Sequence, residues 1–152
     1  MSIRSRRMLI WRRLRSGRMV ARGIHHVGVA VRDLDAALDT YTRKLGAELE
    51  HRETLQSQGV EAAAVLVGSG RIELLAALGE DTPVGKFLAR RGEGMHHLAY
   101  EVDDVRTALG ELAAAGAELI DEEPHLGLYG LQVAFVHPDA VHGVLSEVVS
   151  VG

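Results

Sequence analysis

The chain repeats itself once, and this constrains its fold more than any other feature. Residues 25–38 read HHVGVAVRDLDAAL and residues 96–109 read HHLAYEVDDVRTAL, in constant register. Similar endings follow, LGAEL at 45–49 and AGAEL at 115–119. Two long copies exclude a solenoid, whose short units need at least three neighbours to bury a core. They describe instead a duplicated module, about 24–78 and about 94–150, whose copies pair into one domain.

Within each copy the apolar period shifts from 2 to 3.6. The run 26–31 is rich in β-branched residues and predicts a strand. Asp33 then stands at a helix N-cap, with Leu34, Ala37, Leu38 and Tyr41 at helical spacing and Gly46 where a left-handed cap would end the helix. Asp104, Val105, Ala108, Leu109, Leu112 and Gly116 repeat this pattern. Strands are predicted over 47–53, 59–67 and 71–76 in copy one, and over 117–122, 131–137 and 144–149 in copy two. Gly68-Ser69-Gly70 reads as a tight turn between two of them. A short helix over 84–90, after Pro83, falls in the joining segment. The order is β-α-β-β-β, twice.

Charge divides the chain differently. Residues 1–22 hold 8 Arg and no acid, which leaves 9 basic residues against 21 acidic ones over 23–152. The net charge of −4 is therefore the mean of a +8 arm and a −12 body. A body this acidic repels nucleic-acid phosphates. No apolar run approaches the ~18 residues of a membrane-spanning helix. Neither a nucleic acid nor a membrane is expected as a partner. The arm reads first as an upstream extension ahead of a start at Met19, second as a disordered basic tail, and third as a targeting leader. Residues 23–152 are read as one domain, since their length and the 47% hydrophobic content suffice for one core. The chain has no Cys, which excludes disulfides, thiolate metal sites and cysteine nucleophiles. It also suits a reducing, cytoplasmic setting.

The repeat places chemistry at matching points. His26 and His97 occupy the same position of the first strand in each copy, and Glu73 and Glu147 the same position of the last. Both Glu lie in apolar runs, where a carboxylate is costly to bury unless it is paired or bound to a metal. One histidine in a strand is ordinarily structural, and one glutamate ordinarily faces solvent. Four such residues at pseudosymmetric positions point to a shared divalent cation. Two imidazoles and two carboxylates leave two octahedral positions open for water or a chelating substrate. Neighbours on a strand face opposite ways, so His25 and His26 cannot both reach one ion, nor can His96 and His97. Parity alone does not choose between them. The small residues Gly28 and Ala30 share a face with His26 and leave room for a ligand, so His25 and His96 are read as structural.

Residues 24–150 resemble the methylmalonyl-CoA epimerases of the vicinal-oxygen-chelate (glyoxalase) superfamily. The resemblance rests on Ile24-His25-His26-Val27-Gly28-Val29-Ala30-Val31, Gln58-Gly59-Val60 and Ile72-Glu73-Leu74-Leu75. It continues through Gly92-Glu93-Gly94-Met95-His96-His97, Phe135-Val136-His137-Pro138 and Gly143-Val144-Leu145-Ser146-Glu147. It implies an α+β fold of paired βαβββ modules, an open eight-stranded barrel-like sheet around one metal site. It implies His26, Glu73, His97 and Glu147 as ligands of Co, Mn, Mg or a similar divalent ion. The position of Glu73 holds Gln or Glu in that family. The resemblance further implies an acyl-CoA substrate, a homodimer, and Glu147 as one acid/base. One departure concerns the second base: where some relatives carry Glu two residues after Gln-Gly-Val, this chain has Ala62, with Glu61 just before it. A glyoxalase I-like lyase and a non-catalytic small-molecule binder of the same superfamily are the alternatives. Lys86, Arg90 and Arg91 read as a solvated helix face rather than as CoA contacts.

Overall fold

The structure, a computed structural model, describes residues 20–152. The readings of the basic arm at 1–19 lie outside the described residues. Arg22 pairs with Asp103, its Nη2 2.6 Å from the carboxylate, and its backbone N–H donates to Glu101 at 2.7 Å.

The predicted order is observed. Module one comprises β1 (Gly23–Ala30), α1 (Leu34–Leu45), β2 (Glu48–Leu55), β3 (Val60–Val67) and β4 (Gly70–Ala77). The joining segment forms α2 (Pro83–Arg91). Module two comprises β5 (Gly94–Val102), α3 (Val105–Ala114), β6 (His125–Leu126), β7 (Gln132–Val136) and β8 (Ser146–Ser150). Asp33 and Asp104 cap their helices as expected, accepting from Ala36 N–H at 3.0 Å and Thr107 N–H at 2.8 Å. Gly46, at φ 68°, ends α1.

The eight strands form one sheet in the order β2-β3-β4-β1-β5-β8-β7-β6. Each module contributes one half, with β1 parallel to β4 and β5 parallel to β8. The halves join through antiparallel β1 and β5. The first strands of the two copies thus lie side by side at the centre of the sheet.

Period-2 alternation then separates two surfaces. Leu74 and Ala76 of β4 pack with Val31, Leu34, Ala63 and Val65, against Ala37, Leu38 and Tyr41 of α1. Val148 and Ala134 pack likewise with Val105, Ala108 and Leu109 of α3. Glu73 and Leu75, and Glu147 and Val149, turn the other way. Val84 of α2 closes a third cluster with Ala30, Val60, Ala62, Leu75 and Leu128.

The strand expected over 117–122 is not one. Leu119 makes a single bridge to Val136, and Ile120 and Asp121 then both donate to the Phe135 carbonyl at 3.1 Å. Two donors converging on one acceptor bend the segment away from β7, and His125–Leu126 supplies the edge instead. The two outer edges of the sheet, β2 and β6, face one another through side chains. Gln58 Nε2 donates to the Leu126 carbonyl at 3.3 Å, Tyr129 N–H donates to Glu53 at 3.2 Å, and the Tyr129 hydroxyl donates to Glu50. Tyr129 also stacks on His51, with ring centroids 4.3 Å apart.

Candidate active site

Strand register assembles the site. Gly28 lies opposite Glu73 on β4 and opposite His97 on β5. In the second copy, Ala99 lies opposite His26 on β1 and opposite Glu147 on β8. Gly28 and Ala99 are equivalent in the repeat, and each is a small residue standing between two of the polar groups. At Gly28 the absence of a side chain is required, because a Cβ there would fall 2.2 Å from Cε1 of His97. Gly28→Ala must therefore displace that ring. It is expected to destabilise the protein by about 1–3 kcal/mol and weaken divalent-cation binding at least about tenfold. Thermal melts and metal titration check this, and an unchanged metal affinity would show that His97 is not held as described.

All four predicted side chains are buried: His26, Glu73, His97 and Glu147 are 3, 9, 4 and 5% exposed. His26 Nε2 is 3.0 Å from His97 Nε2, 3.1 Å from Glu73 Oε2 and 3.5 Å from Glu147 Oε1. One ligand atom each from His26, His97 and Glu147 lies within 4.8 Å of the other two. Glu73 is absent from that triad and reaches the group through His26.

Burial governs the protonation of the group. It pushes the His26 imidazole down to about 2, helped by the neighbouring His97, His25 and Arg71. It pushes His97 down to about 3, helped by His96. Both rings are neutral at ordinary pH, so their contacts with the carboxyl groups are not ion pairs. Burial likewise pushes Glu73 up to about 8, against the pull of Arg71 and with the push of Glu53. Glu147 is raised well above the usual carboxyl range by burial, then by Glu73 and Asp121. Among the described residues neither carboxyl group touches a Lys or Arg side chain. Two neutral imidazoles and two carboxyl groups short of positive charge are a donor set that fits a divalent cation.

The parity argument fails at both histidine pairs. Register shifts fall between Ile24 and His26, and again where Gly28 faces His97 but Val29 faces Met95. These bulges leave His25 and His96 unpaired and turn them to the same side as their neighbours. His25 Nδ1 is 2.7 Å from His26 Nδ1, and His96 Nδ1 is 3.0 Å from His97 Nδ1. His25 and His96 thus occupy the hydrogen-bonding position behind the inner pair, the place from which ring orientation and tautomer are set. Phe135 meets His97 edge-on at 5.5 Å, and Phe87 meets His96 at 4.9 Å.

Glu73, His97 and Glu147 line a cleft of about 460 Å³, and His26 lines a smaller pocket that shares Glu73, Glu147 and Gln58 with it. The walls of the cleft include Phe87 and Val84 of α2, Gln58, Phe135 and Asp121. Asp121 accepts from Phe135 N–H at 2.8 Å and holds His125 at 2.9 Å. The sequence reading placed none of these residues in a cleft wall, although Gln58 and Phe135 stand in the quoted motifs and Val84 and Phe87 in the predicted joining helix, because segments distant along the chain bring them together. Glu61 is not among them. The β3 ladders run unbroken past it, and its carboxylate pairs with Arg52 at 2.7 Å on the face opposite Ala62. Ala62 itself is fully buried among apolar side chains. Glu61→Gln is therefore expected to leave turnover unchanged within about twofold, since it loses only a half-exposed ion pair. A large loss would bring Glu61 back into the chemistry.

Comparison with known proteins gives a consistent picture. Residues 25–135 match the glyoxalase/bleomycin resistance protein/dioxygenase superfamily. An ethylmalonyl-CoA/methylmalonyl-CoA epimerase of Cereibacter sphaeroides is 38% identical over 126 residues, 82% of this chain and 94% of that one. The crystal structure of the methylmalonyl-CoA epimerase of Mycobacterium tuberculosis superposes with a TM-score of 0.85 at 35% identity, over 90% of this chain and 92% of that one. A variant of the Streptomyces coelicolor methylmalonyl-CoA epimerase in complex with 2-nitronate-propionyl-CoA is similar at a TM-score of 0.82 and 36% identity, over 86% and 97% of the two chains.

Proposed function

The chain belongs to the glyoxalase/bleomycin resistance protein/dioxygenase superfamily, and from that premise we propose that it is a methylmalonyl-CoA epimerase, interconverting the (R) and (S) thioesters through an enolate. The observation that carries this reading is the row Glu73, His26, His97, Glu147 across β4, β1, β5 and β8. It puts a carboxyl group on each flank of two imidazoles, and Glu73, His97 and Glu147 of this row line the cleft.

The chemistry requires that arrangement. Removing the proton between a thioester and a carboxylate leaves negative charge on the thioester oxygen. A divalent cation such as Co, Mn or Mg, held by His26, Glu73, His97 and Glu147, would supply the opposing charge and fix the substrate by chelation. His26 and His97, kept neutral by burial, offer lone pairs rather than protons. Glu147 is the group we assign to move the proton on one face of C2. Phe135 and Phe87 hold the histidines and exclude water from them. The cleft wall offers three carboxyl groups, Glu73, Glu147 and Asp121, so the proton on the other face passes through one of these or through water.

Incubation with methylmalonyl-CoA in deuterated water tests the proposal. Deuterium is expected at C2. Its absence, with turnover of the methylglyoxal–glutathione adduct, would assign the chain to the lyases instead. Among the described residues no helix is long and apolar enough to cross a membrane. We also take the protein to be a cytoplasmic homodimer, on the family resemblance and the lack of cysteine. Sedimentation and cell fractionation decide these two points.

A further inference from the structure

The cations of the described chain are unevenly spent. Arg22, Arg43, Arg52, Arg71 and Arg106 each pair with a carboxylate, as an acidic body would dictate. Five cations make no ion pair with a described residue: Arg32 and Lys44, and Lys86, Arg90 and Arg91, which lie together on α2. Arg91 lies over the Phe87 ring, 5.9 Å from its centroid. Lys86 and Arg90 are four residues apart, so they share one face of α2. Both line the cleft that Glu73, His97 and Glu147 also line, and both remain exposed, which places them at its mouth.

The size of the cleft gives these residues a ligand. A volume of about 460 Å³ accommodates an acyl group with part of a pantetheine arm, within the ~300–1,000 Å³ range of small-molecule sites. The nucleotide end of a CoA thioester must then project from the mouth. That end carries the charges that an acidic protein surface would repel. Resting on the epimerase reading, we propose that Lys86 and Arg90 bind the phosphates of the CoA moiety and thereby select a CoA thioester over a simpler one. These contacts are made equally in the ground state and the transition state, so they set KM and leave kcat alone. The helix face read from the sequence as merely solvated becomes a specificity element.

The test uses three thioesters of methylmalonate: with CoA, with dephospho-CoA and with pantetheine. Lys86→Ala/Arg90→Ala is expected to raise KM for the CoA thioester about tenfold at low salt with kcat unchanged. KM for the pantetheine thioester should not move. The intermediate response of the dephospho-CoA thioester tells the 3′-phosphate from the pyrophosphate. Lys86→Glu/Arg90→Glu should exaggerate the same pattern and weaken binding of free CoA in calorimetry. An equal rise for the CoA and pantetheine thioesters, or no rise for either, overturns the assignment while leaving the epimerase reading intact. Failure of the unaltered protein to exchange any of the three overturns both.

Discussion

Glu147→Gln is expected to slow deuterium exchange at C2 of methylmalonyl-CoA by about 10³-fold, within the range for loss of a general acid/base. The variant should also bind divalent cations more weakly. The isostere fits the same space between Ala99 and Phe135, its neighbours across β5 and β8 and across β7 and β8. Unfolding does not explain the loss, because the substitution removes a buried carboxyl group whose charged form burial already penalises. The metal-free variant should therefore melt no lower than the metal-free parent. Retention of exchange above about a tenth of the parent rate would remove Glu147 from the chemistry. His97→Ala should lose exchange and metal affinity together. His25→Ala, which leaves all four inner groups in place, should lower metal affinity by about 10–100-fold through its hydrogen bond to His26.

The second large effect concerns removal of divalent cations, which should abolish exchange and change how stability depends on pH. Folded Glu73 and Glu147 hold their protons more tightly than an unfolded glutamate, whose pKa is about 4.3. The folded chain thus keeps protons that the unfolded chain releases. These two groups favour folding fully below about pH 4.3, and that contribution is lost as pH rises, through about 8 for Glu73 and through the raised value that burial gives Glu147. His26 and His97 have depressed folded values, so their contribution falls away as pH drops below about 6.5. Below about pH 6.5 the two effects oppose; above it only the carboxyl effect remains. Chelator-treated protein is therefore expected to melt at progressively lower temperature from about pH 6.5 to 8.5. A divalent cation at a hundred times its Kd adds about 2.7 kcal/mol, a rise on the order of 5–10 °C. That rise should grow with pH, because a metal favours the ionised carboxylates. Calorimetry at pH 6.5 and 8 decides it, and a cation effect independent of pH would place the ion elsewhere.

Much of this was legible in the sequence because it rested on period and repetition. The alternation within 26–31 and the caps at Asp33 and Asp104 are local, and the structure repeats them in place. The four polar positions were conspicuous because carboxylates in apolar strands are expensive. The segment 117–122 was misread because its composition suits a strand. Whether it pairs depends on where β7 offers acceptors, and Phe135 offers one carbonyl to two donors. Tyr129 and the contacts that join β2 to β6 gave no signal at all, since they come from segments distant along the chain.

The histidine pairs show most clearly what each level decides. The sequence by itself determined that two His and two Glu recur at equivalent points of two modules, and that small residues stand between them. It could not determine which way His25 and His96 turn, because a bulge is a property of two strands in register rather than of one strand. The same holds for Glu61, whose direction follows from the unbroken ladders on either side of it, and for Lys86 and Arg90, which become a cleft mouth only when α2 packs over the sheet. Periodicity is written in one chain segment, whereas register, bulges and cleft walls arise only when separate segments compete for the same hydrogen bonds and the same apolar surface.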